Sequence, residues 1–344
     1  MKKLLTYLIS ITLLLTVMAC SSGSEETTVE TYQNPVFEPV LADPSIIRAE
    51  DGTFYAYGTE DAWRHSADVK YVPIIKSTNL VDWEYVGDAF AEKPDWKGFA
   101  YLWAPDINYI NGQYYLYYSL SVWGDENPGI GVATSDTPIG PFTDHGKLFD
   151  SNEIGVPNSI DPYVHQTDDG ELWMFWGSFH GIYAIQLSSN GLSTVGEKVQ
   201  IAGNAFEASY IVEKDGYFYL FLSTGSCCSG ANSTYEVKIA RSESLLGPYL
   251  DRRGRSVLGS SGSLVVGDGT QFVGNGHNSV IQDDAGDYWL IYHGIDVDDP
   301  YLPNGATRRP LMIDKIIWDS NGWPQLESFM PSEEEKEVPY IEED

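Results

Sequence analysis

Five copies of one short unit decide what this chain can fold into. Each copy is an extended run, a Gly-containing turn and a run of alternating aromatics. ADPSII around Asp43 leads to Asp51, Gly52 and FYAYGT, and WAPDI from Trp103 leads to Asn111, Gly112 and QYYLYYS. SIDPYV around Asp161 leads to Asp169, Gly170 and ELWMFWGS, FEASYI around Glu207 to Asp215, Gly216 and YFYLFLS, and GHNSVI around His277 to Ala285, Gly286 and DYWLIYHG. Asp-Gly and Asn-Gly supply the positive φ of a tight hairpin turn, and the flanking runs are rich in β-branched and aromatic residues. One hairpin cannot bury its own face, so units repeated every 46 to 70 residues predict an all-β fold, a five-bladed β-propeller.

Aligned on the turn glycine, the residue nine positions earlier is Asp43, Trp103, Asp161, Glu207 and His277. Equivalent positions of successive blades face the central axis. The register therefore brings three carboxylates, one Trp and one His to a single point. Any one Asp-Pro or Asp-Gly pair alone reads as a turn starter; an ionisable group in the same register of four blades reads as a site.

The chain opens with Lys2, Lys3 and an apolar run, Leu4 to Val17, too short to span a bilayer. Val17, Met18, Ala19 and Cys20 resemble a bacterial lipobox, which makes 1–19 a lipoprotein signal peptide and Cys20 the lipidated first residue. The alternative is an ordinary cleaved signal with an incidental Cys. Residues 20–33 are expected to form a flexible tether, 34–330 one propeller domain and 331–344 a solvated acidic tail. Asn34 to Phe37 is expected to enter the first blade. The expected product is an exported lipoprotein of a Gram-negative-type bacterium, on the periplasmic or cell-surface face of the outer membrane.

A net charge of −30 argues against nucleic acid or an anionic membrane as partner, so the lipid anchor is the expected link to the membrane and the protein is expected to be a monomer. The 23 Tyr, 13 Phe and 10 Trp exceed what a core of this size needs and suit stacking on sugar faces. Cys227 and Cys228 lack zinc-site spacing and read as structural, either reduced or as a vicinal disulfide.

Converging carboxylates with aromatic walls point to glycoside hydrolysis, which needs one group to protonate the leaving oxygen and another to activate water or attack the sugar. A third carboxylate beside the donor disfavours its ionisation and keeps it protonated near neutral pH. No Ser-His-Asp signature, phosphate-cradling Gly loop or cluster of metal-binding histidines competes with this reading.

On these five motifs, from Asn34 to about Leu326, the chain resembles glycoside hydrolase family 43, propeller hydrolases of arabinose- and xylose-containing polysaccharides. The resemblance implies Asp43 as general base, Glu207 as general acid and Asp161 as the residue that tunes and orients the acid. It also implies inversion, with base and acid roughly 6.5–9.5 Å apart, whereas a retaining mechanism would need roughly 5–5.5 Å. SCCSGANSTY at 226–235, GSFHGIYAI at 177–185 and GHNSV look like the arabinanase branch, implying α-1,5-linked arabinan or arabino-oligosaccharides of plant cell walls as substrate. In that branch a His at position 277 helps hold a metal, often calcium, through water at the channel centre. One neutral imidazole is a poor calcium site unless water supplies the oxygens, and the other reading of His277 is a hydrogen bond to the carboxylates. No organic cofactor is implied.

Ala42 stands where many arabinanases carry His before the base, as it does in exo-acting and xylan-directed relatives. Trp103 and Trp123 are candidate sugar-stacking platforms. Ser178 could reach a sugar hydroxyl or a backbone group, and Arg309, or else Arg308, could contact substrate. Two alternatives stand beside arabinan cleavage. One is the same machinery acting on xylan, as a β-xylosidase, xylanase-like enzyme or α-L-arabinofuranosidase. The other is an inactive glycan-binding surface lipoprotein.

Overall fold

The computed structural model describes residues 29–342, so the signal segment, Cys20 and the chain up to residue 28 lie outside the described residues. Tandem hairpins assemble into five sheets. Blade 1 contains Ser45–Arg48, Phe54–Tyr57, Pro73–Ser77 and Glu84–Asp88; blade 2 contains Tyr101–Ile110, Gln113–Ser121, Gly129–Ser135 and Thr143–Asp150. Blade 3 contains Tyr163–Gln166, Leu172–Trp176, Ile182–Leu187 and Thr194–Ala202, and blade 4 contains Glu207–Lys214, Tyr217–Thr224, Glu236–Ser242 and Ser263–Val266. Blade 5 has three strands, Phe272–Gln282, Tyr288–Asp296 and Leu311–Lys315. In blades 2 and 4 both turn residues are left-handed, Asn111 with Gly112 and Asp215 with Gly216, as the tightest hairpin turns require.

The middle of each aromatic run is apolar at successive positions because a blade is covered on both faces. Tyr55 and Tyr57 pack into the core shared with blade 2, whereas Phe54 and Ala56 pack into the core shared with blade 5. Leu220 and Leu222 likewise face blade 3 while Tyr219 and Phe221 face blade 5. Alternation along a strand thus feeds two different cores, and five such cores, one per blade interface, hold the ring.

The two ends of the chain close that ring, where the sequence suggested a lead-in and a free tail. Val36 donates its N–H to the Leu311 carbonyl (2.9 Å), and Leu311 returns one to Phe37 (3.1 Å). Val36 and Phe37 therefore complete the last blade instead of entering the first. Thr31–Tyr32, expected in the tether, pairs with Lys336–Glu337, expected in the tail. Tyr32, Val338 and Ile341 join the core between blades 5 and 1, because their apolar surface is better buried than solvated. Among the described residues no helix is long and apolar enough to cross a membrane.

Candidate active site

The five aligned residues sit on the innermost strand of each blade or just before it, and the backbone there is left-handed. Asp43, Asp161 and His277 have φ of 55°, 59° and 50°. In blades 2 and 4 the left-handed residue is the next one, Ala104 at 45° and Ala208 at 52°. A residue with a Cβ pays roughly 1–2 kcal/mol for this conformation and keeps it only when its surroundings impose it.

The preceding blade imposes it. The residue seven places after the turn glycine closes the second strand, and its side chain reaches the next blade. Thr59 Oγ1 accepts from the Ala104 N–H (2.9 Å), Ser119 Oγ from Asp161 (3.0 Å), Ser223 Oγ from His277 (2.9 Å) and His293 Nδ1 from Asp43 (3.1 Å). Blade 3 uses the eighth residue, and its Ser178 Oγ donates to Glu207 Oε2 at 2.6 Å. Each blade thus positions the site residue of the following one around the closed ring. The sequence carried the signal, since the aromatic runs end in Thr59, Ser119, Ser178, Ser223 and His293, but of these only Ser178 was singled out.

Asp43 lies in a cationic and donor-rich cradle. Arg309 Nη1 is 2.8 Å from its Oδ1, His277 Nδ1 is 3.3 Å away, His293 Nδ1 is 3.4 Å away, and Thr59 donates to Oδ2 at 2.5 Å. Burial alone would raise the Asp43 pKa. Arg309, the largest opposing influence, together with the Thr59 hydroxyl outweighs it and holds the carboxyl well below the usual carboxylate range. Burial pushes His277 down and His293 further down, so both imidazoles favour the neutral form.

Glu207 and Asp161 share the depth but have no such cradle. Burial raises both; Asp161 is pushed further up by Glu207 and Asp43, and Glu207 by Asp43. Hydroxyl and amide donors only moderate the rise. Ser178 bonds Glu207, and the Ala208 N–H bonds the Asp161 carboxyl. The Tyr235 ring stacks on His293 with centroids 5.7 Å apart, and its hydroxyl faces Glu207 without closing a well-formed hydrogen bond. Another buried carboxyl, Asp106 of the WAPDI motif, lines a cavity of about 400 Å³ between the inner strands; burial pushes its pKa up to about 7.

The other candidates divide. Trp103 and the highly exposed Trp123 stand together, with centroids 5.6 Å apart. Ser178 and Arg309 are at the site, where Ser178 Oγ is committed to Glu207 and Arg309 Nη1 to Asp43, while the buried Arg309 Nε has no partner. Arg308 turns away to Glu38 and Asp299. Cys227 and Cys228 are joined as a vicinal disulfide in the loop that leads to Tyr235. A directly ligated calcium does not fit: among the described residues no group of three His, Cys, Asp or Glu could hold a metal, and His277 turns Nδ1 to Asp43.

A propeller whose axis gathers buried carboxylates of opposed ionisation defines a glycosidase of the two-carboxylate kind. Residues 32–324 match glycosyl hydrolases family 43, and the chain belongs to that family. It is 33% identical over 314 residues to the extracellular exo-α-(1→5)-L-arabinofuranosidase of Cellvibrio japonicus, covering 83% of this chain and 86% of that protein. It is 32% identical over 299 residues to the extracellular endo-α-(1→5)-L-arabinanase 1 of Bacillus subtilis, covering 83% and 87%. Among solved structures, Cellvibrio cellulosa α-L-arabinanase complexed with arabinohexaose superposes with a TM-score of 0.74 at 31% identity, over 86% of this chain and 99% of that one.

Proposed function

We propose that this protein is an inverting hydrolase of α-1,5-linked arabinan and its oligosaccharides, with Asp43 as base, Glu207 as acid and Asp161 as the group that tunes and orients the acid. The observation that carries the assignment is the opposed ionisation of Asp43 and Glu207. Asp43 is held anionic and can take a proton from water as that water attacks the anomeric carbon. Glu207, whose pKa burial raises, keeps its proton to higher pH than Asp43 and can give it to the departing glycosidic oxygen. The sugar–oxygen bond breaks as the water–carbon bond forms, the leaving alcohol departs neutral, and the new hydroxyl lies on the opposite face. Asp161 and Glu207 resist ionising together in the same buried volume, so a proton is retained there.

Arabinan is supported by the relatives' names over nearly the whole length and by the SCCSGANSTY loop, which ends at Tyr235 beside Glu207. Ala42 favours the exo or xylan alternatives; it is buried in a small apolar cluster with Val40, Trp63 and Leu302. Debranched linear arabinan, arabinoxylan and xylo-oligosaccharides, followed by NMR of the first anomer released, separate these readings. Short arabino-oligosaccharides or arabinose, released with inverted configuration, support the proposal and distinguish endo from exo action. Inert arabinan with xylose released from xylan overturns the substrate, and a retained anomer overturns the mechanism.

Export belongs to the same reading and is supported by relatives named as extracellular enzymes, while anchoring through Cys20 rests on the lipobox-like sequence at 17–20 alone. A Cys20→Ala protein recovered from the soluble fraction is the expected outcome. A hydrated calcium touching His277 is likewise proposed. Chelation should then lower the melting temperature, and an unchanged melting curve and rate would leave His277 as a neutral partner of Asp43.

A further inference from the structure

Blade 2 extends beyond the ring of site residues. In blade 4 the strand pairing stops at Glu207 opposite Ser223. In blade 2 the equivalent pair, Trp103 opposite Ser119, is followed upward by Leu102 opposite Leu120 and Tyr101 opposite Ser121. This projecting ribbon has two unlike faces. Ala100, Leu102 and Ala104 are buried, whereas Phe99 is 80% exposed and Tyr101 39% exposed. Phe99 and Tyr101 touch edge to face, with centroids 5.4 Å apart.

Strand alternation puts Tyr101 and Trp103 on one face, about 7 Å apart, and Phe99, in the bend just before the strand, reaches that face through its contact with Tyr101. Trp103 fixes where that face leads. It precedes a left-handed alanine in blade 2 as Glu207 does in blade 4, so it occupies the acid's place in its own blade. Trp123 widens the surface beside it. Lys93, whose ammonium lies over the Tyr101 ring 5.0 Å from its centre, holds one face of that ring and leaves the other for a ligand.

We infer that the Phe99–Tyr101–Trp103 ribbon is an outer binding track for a neutral glycan chain, holding sugar units beyond those at the carboxylates. This rests on the arabinan reading above and names the part of the polymer that reading leaves unplaced. Aromatic rings in line with the site match the C–H faces of successive sugars. The strongly acidic chain disfavours an anionic occupant. The track gives the enzyme a preference for polymer over short fragments, since only a chain of several units reaches both Phe99 and the carboxylates.

The test compares kcat/KM on debranched linear arabinan with kcat/KM on arabinotriose, for wild type and for Phe99→Ala and Phe99→Ala/Tyr101→Ala. The polymer-to-trimer ratio should fall about tenfold in the double variant, the scale of one or two lost ring stacks, and mainly through KM. Phe99 is exposed enough that its replacement leaves the fold intact, which the melting temperature checks. An unchanged ratio in a stable variant that still cleaves arabinan overturns the track and leaves the arabinan reading standing. A wild type inert on arabinan overturns both. Equal losses on polymer and trimer show a structural role and also overturn the track.

Discussion

Asp43 and Glu207 occupy the same register position in two blades and are equally buried, yet their ionisation is driven in opposite directions. The difference lies in what the neighbouring chain delivers. Blade 5 brings His277 and His293 to Asp43 and, from the loop before its third strand, Arg309, whose charge offsets the cost of burying the carboxylate. Blade 3 brings Glu207 only Ser178 and a second acid, Asp161, so burial prevails. A repeat that is symmetric in backbone thus becomes an acid and a base through asymmetric neighbours. The pH dependence follows by sign. A carboxyl held low stays ionised far into the acid range, so the acid limb lies well below neutrality. The raised pair keeps its proton to higher pH, so rate is lost on the alkaline side as that proton leaves.

The largest expected effects come from removing either pole. Glu207→Ala should lower the rate on natural glycans by about 10²–10⁴-fold, because a sugar alkoxide needs protonation to leave, while activated aryl glycosides lose much less. Asp43→Ala should be as damaging on both substrates, since both need activated water. Easy turnover of the aryl glycoside by that variant would remove Asp43 as base.

Smaller, and sharper for the comparison, is Arg309→Met, which takes away the largest opposing charge at Asp43. An opposite charge at this range is worth roughly 1–3 pKa units. The acid limb should move up by about that much, and the alkaline limb by less, because Arg309 is a smaller influence on Glu207 and Asp161. An unmoved acid limb would mean that the histidines and Thr59 hold Asp43 without Arg309.

Much of this was legible in the sequence for one reason: a blade repeats, and turn glycines give the repeat an origin from which to count. The same count that located Asp43, Trp103, Asp161, Glu207 and His277 also locates Thr59, Ser119, Ser223 and His293. Their side chains act on the next blade, so nothing within one unit shows what they do. Arg309 was legible only as a candidate, because its partner lies 266 residues away in sequence. The ring closure was hidden for a related reason. Val36 and Phe37 are too short to read as a strand, and they become one only because Leu311 offers an open edge.

The mildest variant tests the hand-over between blades where it touches the acid. Ser178 donates to Glu207 at 2.6 Å and thereby favours the ionised form, holding down a pKa that burial raises. Removing the hydroxyl in Ser178→Ala leaves burial less opposed, so Glu207 should keep its proton to higher pH. A hydrogen bond to a charged group contributes about 1.5–3 kcal/mol, on the order of one to two pKa units before relaxation. The alkaline limb of kcat/KM should therefore move upward, with a rate loss of about tenfold or less below it, because the acid is also less well aimed. The acid limb, set by Asp43, should not move. A general loosening of the blade would lower the rate at all pH values and shift neither limb, and that result would show that Ser178 braces the structure without tuning the acid.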